Sequence, residues 1–366
     1  MLTKGDDYPL HQTAEPVAFA GTDRNFYDRY FFNGYAPHGS GFFALALGIY
    51  PHLNVADAHF CVIRGGVQHC LHASRELAME RMDLTVGPIA VEVTEPLHIL
   101  RLRVDGEGIA ADLTFTGRAF PIEEPRFTHR IGPRTFMDYT RMTQNGRWSG
   151  WIEVDGVREQ VSADCTGTRD RSWGVRPIGA SDAQPHSPPQ SPQFFWQWTP
   201  INLPNRSVFF HLNADTGGAA WNTRAVIAPD GAGPDGAGAD GLYETPAATM
   251  NAPLAAGTRW PASSTLTMAA PDGPLTLTLE PLHRFQMRGL GYTSPKWGHG
   301  LYHGALAVER EDIMLQACSP AQLDNLHVQI VCRVTTSAGE VGTGIFEQLI
   351  IGPYAPLGLQ EFFDMG

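Results

Sequence analysis

The chain has 366 residues, 43% of them apolar, and a formal charge of −12. That length exceeds one ordinary core and suits two domains, and the apolar content excludes a wholly disordered chain. The acidic balance, with no dense Lys/Arg cluster, argues against a nucleic-acid partner. The first residues carry no apolar run behind a basic start, so no secretion signal is expected, and no stretch is long and apolar enough to span a membrane. Five cysteines without a CxxC pair read as reduced, mostly buried thiols of a cytoplasmic protein. Cys61 and Cys70 could still bridge a hairpin.

Taken in chain order, the elements are strands. Ser74 to Met82 reads either as two helical turns or as an irregular strand. Leu100, Leu102 and Val104 alternate with polar residues, and so do Ala111, Leu113 and Phe115, with Asp105-Gly106 and Glu107-Gly108 as the turn between them. Asp155-Gly156 lies between Trp151–Val154 and Val157–Val161, a strong hairpin signal. Gly179 to Gln193 and Pro229 to Gly241 are loops by composition, expected to be mobile. The first of them marks the expected boundary between domains 1–190 and 191–366. Leu275, Leu277 and Leu279 alternate next. Ser319-Pro320 is expected to start a short helix, and Val328 to Val334 is followed by a turn at Ala338-Gly339-Glu340. Gly 39 and Pro 28, spread as punctuation, fit many short strands, hence an all-β chain.

The most distinctive stretch is Gly167-Thr168-Arg169-Asp170-Arg171-Ser172-Trp173-Gly174-Val175-Arg176, followed by Phe194-Phe195-Trp196-Gln197-Trp198. Together they resemble the two-domain, lipocalin-like family of carotenoid 1,2-hydratases and AttH-like proteins. In that family an Asp-x-x-Trp-Gly element closes the first barrel and an aromatic strand follows. Asn25 to Gly34, Trp297 to Gly304 and Gly344 to Leu349 look like a bacterial branch of it. The resemblance implies two antiparallel lipocalin-like β-barrels and a hydratase, isomerase or cyclase acting on an isoprenoid- or steroid-like double bond. The hydratases carry a His-x-Trp pair upstream and a tyrosine two residues before the aspartate. Here no such pair occurs, and Thr168 stands at the tyrosine position.

Asp170 is the candidate general acid. Protonating an alkene requires a carboxyl that keeps its proton near neutral pH, which burial provides. The flanking Arg169 and Arg171 would oppose this, unless strand alternation turns them away. The structural alternative pairs Asp170 with an arginine such as Arg176. Trp173, Trp196 and Trp198 could offer π-faces to a cationic intermediate, although Trp173, three residues on, shares a face with Asp170 only across a bulge. Arg171 and Arg176 are equally readable as structural closure of the barrel end. Tyr139 and Arg141 could orient a polar group of the ligand, or form a solvated strand edge. His299 and His303 on a strand would lie roughly 13 Å apart, too far for one metal ion, so they are read as cavity-lining. No metal or cofactor is expected. No GxSxG, P-loop, GxGxxG or HExxH motif occurs. The expected partner is a small hydrophobic molecule held in an aromatic-lined hollow within a barrel, by an enzyme or by a non-catalytic carrier, and a homodimer is compatible with this reading.

Overall fold

The computed structural model describes residues 2–11, 23–37, 41–184, 192–231 and 241–366. The repeat at 232–240 and most of the loop at 185–191 lie outside them, so their expected mobility is not addressed.

The fold is all-β, with two curled, nearly closed antiparallel sheets. The path of the first runs Leu306–Met314, Val67–Glu76, Val55–Arg64, Phe42–Tyr50, Phe26–Tyr35, Thr166–Val175, Arg134–Val154, Ile109–Gly117, Ile99–Gly106, Ile89–Glu95 and Thr85–Val86. The second runs Tyr243–Thr245, Ala220–Pro229, Arg206–Ala214, Phe194–Asn202, Val341–Ile351, Val328–Thr336, Leu275–Gln286, Ser264–Met268 and Ala248–Asn251. Leu306–Met314 thus reaches back from the C-terminal part of the chain to pair with Val67–Glu76. Among the described residues the only helical pieces are 3₁₀ turns, none long and apolar enough to cross a membrane.

Local chemistry explains the hairpins. Asp155 (φ 51°) and Gly156 (φ 80°) are both left-handed, as a two-residue turn matched to sheet twist requires. The earlier turn falls at Glu107-Gly108 (φ 50° and 75°) rather than at Asp105-Gly106, which end the strand. Ser74 to Glu76 completes a strand, and the expected helix at Ser319 is only a 3₁₀ turn at Leu323–Asn325. Cys61 and Cys70 sit opposite each other across two strands as free thiols.

Each sheet encloses its own core. Leu45, Leu47, Phe60, Leu102, Leu113 and Trp148 belong to the first, and Val208, Phe210, Leu277, Val334 and Phe346 to the second. These side chains pack the interiors of the two sheets. A third cluster, including Tyr27, Phe31, Phe127, Trp196, Trp198 and Leu349, lies between the two barrels. Phe26–Tyr35 and Phe42–Tyr50 are buried along their whole length because one face meets a barrel core and the other this interface.

Candidate functional site

The strand Thr166–Val175 pairs in unbroken register with Phe26–Tyr35 on one side and Arg134–Val154 on the other. Without a bulge its side chains alternate strictly. Arg169 and Arg171 point into the first barrel, and Asp170 points out toward the second. Arg169 is ion-paired with Asp7. Arg171 is ion-paired with Asp28, donates to Tyr8 O at 2.8 Å, and lies over the Tyr30 ring at 3.9 Å. Trp173 is on their side, stacked on His11 with centroids 3.7 Å apart. The structure therefore does not bring Trp173 to Asp170. The N-terminal turn, Arg171 and Trp173 cover one end of the barrel.

Asp170 faces a group of polar and aromatic side chains between the sheets, called the chamber below. No described residue hydrogen-bonds or ion-pairs with its carboxyl, and burial raises its pKa to about 6 against the opposing pull of Arg141, with Glu124 and Glu347 adding to the rise. The desolvation cost of a charged carboxylate dominates here. Trp196 and Trp198, two apart on Phe194–Asn202, share the facing wall. Trp196 donates its Nε1–H to Glu347 at 2.7 Å, and Trp198 to Glu124 at 3.1 Å. Glu124 also accepts from Thr143 Oγ1 at 2.6 Å. Arg141 spreads over Trp196, its Cζ 4.9 Å from the ring centroid, with Nη1 3.7 Å from Glu124. Tyr139 stacks on Phe127 at 4.5 Å. Tyr139 (6%), Asp170 (8%), Trp196 (5%) and Glu347 (7%) retain small exposures deep between the sheets, whereas the neighbouring Phe127 and Thr143 retain none.

A second polar group adjoins it. His299 accepts at Nδ1 from Arg176 (3.1 Å) and Arg29 (3.3 Å), which assigns the remaining proton to Nε2, donated to Leu290 O at 2.9 Å. Burial first, then the two guanidinium groups, hold its pKa well below the ordinary value. Arg176 also lies over Tyr27 at 4.4 Å, so it faces the interface, on the side opposite Arg171. His303 packs on Trp297, with ring centroids 4.4 Å apart. His299 and His303 lie on a turn segment rather than a strand. Among the described residues no group of His, Cys, Asp or Glu has the arrangement of a metal site. A cleft of about 350 Å³, lined by Asn25, Thr135, Phe136 and Ile178 among others, opens where Phe26–Tyr35 and Arg134–Val154 begin and just past the end of Thr166–Val175.

Residues 2–360 match the family of unknown function DUF8625. The chain belongs to this family. A search of curated proteins finds no match. Three solved folds resemble this DUF8625 protein. A candidate AttH from Nitrosomonas europaea is 14% identical, with 93% of this chain and 98% of that one covered and a TM-score of 0.53. CghA is 11% identical, with 94% and 95% covered and a TM-score of 0.52, and its complex with Sch210972 gives 10%, the same coverage and 0.50. Kievitone hydratase from Nectria haematococca is 12% identical, with 88% of each chain covered and a TM-score of 0.44. At such identities the likeness is one of fold, and the fold expected from the sequence is the one found.

Of the expected site residues, Asp170, Tyr139, Arg141, Trp196 and Trp198 meet at one chamber, Arg176 and His299 adjoin it, and Trp173, Arg171 and His303 lie elsewhere. Sequence reading missed Glu124, Glu347 and Arg29. For two of these a signal existed. Glu347 stands in Ile345-Phe346-Glu347-Gln348-Leu349, and Arg29 in Phe26-Tyr27-Asp28-Arg29-Tyr30-Phe31. A charge inside an otherwise apolar strand must be partnered, and so marks a polar site. Glu124, beside Pro125, carried no such mark.

Proposed function

We propose that this DUF8625 protein is a cofactor-independent lyase or isomerase, of the hydratase or cyclase type, acting on a hydrophobic isoprenoid- or steroid-like substrate in the chamber between the barrels. The observation that carries the reading is Asp170: a buried carboxyl with no hydrogen-bonding partner among the described residues and with its pKa raised to about 6, on the side of its strand that faces the cluster holding two indoles. Near neutral pH a useful fraction keeps its proton, as general-acid catalysis requires. Asp170 gives that proton to one carbon of a C=C bond, leaving a carbocation on the other. The π-face of Trp196, worth roughly 0.5–2 kcal/mol to a cation, stabilises it together with the negative charges of Glu124 and Glu347. Three donors hold Glu347, which keeps its carboxylate from capturing the cation, while Glu124 accepts two donors at Oε1 and has none at Oε2 among the described residues. Water then adds and returns a proton to Asp170, giving hydration. Loss of a neighbouring C–H proton to Asp170 gives isomerisation. Arg141 and Tyr139 orient a polar end of the substrate. CghA, known in complex with Sch210972, supports a small organic molecule as the ligand of this fold.

The test is incubation with polyunsaturated isoprenoids and steroids in deuterated water, with mass spectrometry of the recovered compounds. A product carrying one carbon-bound deuterium is expected, lost in Asp170→Asn while apolar binding persists. Turnover by Asp170→Asn at the wild-type rate would remove Asp170 from the mechanism. Tight binding with every compound recovered unlabelled would make the protein a carrier.

A further inference from the structure

A second cleft lies away from Asp170, which is not among its lining residues. It has a volume of about 610 Å³, within the range that holds drug-sized ligands, and opens at the mouth of the first barrel. Its floor is apolar: Phe43, Val62, Ile152 and Cys165 are the exposed end of the barrel core, joined by Phe42 and Val161. Its rim is cationic. Arg64 is already committed, donating to Val157 O at 2.8 Å and Ile152 O at 3.1 Å and lying 3.2 Å from Glu159. Arg284 is not. Its guanidinium lies 3.7 Å from the Trp260 ring centroid and donates through Nη2 to Leu315 O at 2.8 Å, yet its Nε–H is buried without an acceptor. Among the described residues no carboxylate pairs with it. In a chain of charge −12, an uncompensated guanidinium at an apolar cleft is an unusual placement. A charged group half removed from water gains most from an opposite charge that enters with the ligand.

We propose that this mouth is a second binding site, for a small amphiphile with an apolar body and one carboxylate, the body resting on Phe43 and Val62 and the carboxylate meeting Arg284. Acidic and neutral amphiphiles of equal chain length separate the two contributions, so dodecanoate and dodecanol serve as probes in calorimetric titrations. Dodecanoate is expected to bind the wild type, with dodecanol weaker by about tenfold or more, the worth of one charge-assisted hydrogen bond. Arg284→Met should bring dodecanoate down to the dodecanol level, and Arg284→Lys should restore part of the difference. Ser162→Trp, at an exposed rim position, should block both probes without touching the core. Asp170→Asn should leave dodecanoate binding unchanged. Equal affinity for the two probes, no dodecanoate binding, binding that survives Ser162→Trp, or binding lost in Asp170→Asn would each overturn the assignment. The last would place the acid in the interbarrel chamber instead. Failure of Asp170 catalysis would leave this site untouched.

Discussion

The Nδ1 atoms of His59 and His72 lie 3.0 Å apart, fully buried, across adjacent strands of the first sheet. One of the two must donate through Nδ1–H and the other accept. Burial, then His72, Arg29 and His303, hold the pKa of His59 well below 6.5, and Asp57 is the carboxylate on its far side, 3.8 Å from Nε2. Glu311, 3.4 Å from His72 Nε2, and Trp297, stacked on His72, complete the surroundings. As pH falls through 6.5 the unfolded chain takes a proton at this position and the folded chain does not, so stability is lost on acidification. His59→Gln is expected to remove that loss. Relative to wild type it should gain about 1.4 kcal/mol per pH unit below 6.5. Urea unfolding at pH 8 and pH 5 checks this, and an unchanged difference between the two pH values would show that His59 titrates normally.

Asp170 acts with the opposite sign. Its folded pKa of about 6 exceeds the ordinary 3.8, so between these values the folded state holds the proton more tightly and stability falls as pH rises. Above pH 6 the buried charge costs up to roughly 3 kcal/mol, two pH units' worth, reduced by whatever water reaches the chamber. Asp170→Asn removes that cost. Its effect on the unfolding free energy should be more favourable at pH 8 than at pH 3.5 by an amount of this order, measured by denaturant melts. A variant that is instead less stable at pH 8 than at pH 3.5, relative to wild type, would mean that the carboxylate has a strong partner.

What could be read from the sequence followed from how many faces of each strand are buried. Leu100 to Val104 and Ala111 to Phe115 alternate because one face is wet, and they were legible as strands with a defined inside. Phe42 to Tyr50 and Phe194 to Asn202 do not alternate, because the second face is buried against the other barrel. Such continuous runs announce an interface, and the chamber lies there rather than in a barrel. Alternation also gave Asp170 a face opposite its flanking arginines, which the unbroken register bears out. The same rule kept Trp173 from Asp170, since no bulge intervenes. The residues around Asp170 come from segments far apart in the chain: Glu124 is joined to Trp198 and Glu347 to Trp196 by hydrogen bonds that no local pattern encodes.

The two faces of Thr166–Val175 can be separated by experiment. Arg171 is fully buried on the barrel side, where it neutralises Asp28, whose pKa stays low despite its burial because Arg171 and His11 outweigh the desolvation. Arg171→Met strands that carboxylate and should cost roughly 3–5 kcal/mol in stability. In the fraction that folds, binding of an apolar probe in the chamber should be unchanged. Arg141→Met should do the reverse, altering probe affinity or orientation while costing less stability, since Arg141 contacts Glu124 only at 3.7 Å and otherwise lies on aromatic rings. Thermal melts combined with probe titrations distinguish the pair. Loss of probe binding by folded Arg171→Met would contradict the face assignment.

Glu347 joins the chamber wall to the second barrel. It accepts from Trp196 Nε1 at 2.7 Å, His327 Nε2 at 2.9 Å and Gln329 Nε2 at 2.6 Å. Burial alone would raise its pKa, but His327 and these donors outweigh it and hold the carboxyl below the ordinary 4.5. Glu347→Leu removes the acceptor and leaves buried donors unsatisfied, with an expected cost of roughly 2–5 kcal/mol. Glu347→Gln keeps one acceptor and should cost less. Because the depressed pKa contributes stability that is present above pH 4.5 and is lost on further acidification, the penalty of Glu347→Gln should shrink as pH drops below 4.5. The indole of Trp196 reports the same event, since loss of its anionic acceptor should shift its fluorescence. If Glu347→Leu were as stable as wild type with an unchanged Trp196 signal, the carboxylate would have no part in fixing the indole wall that faces Asp170.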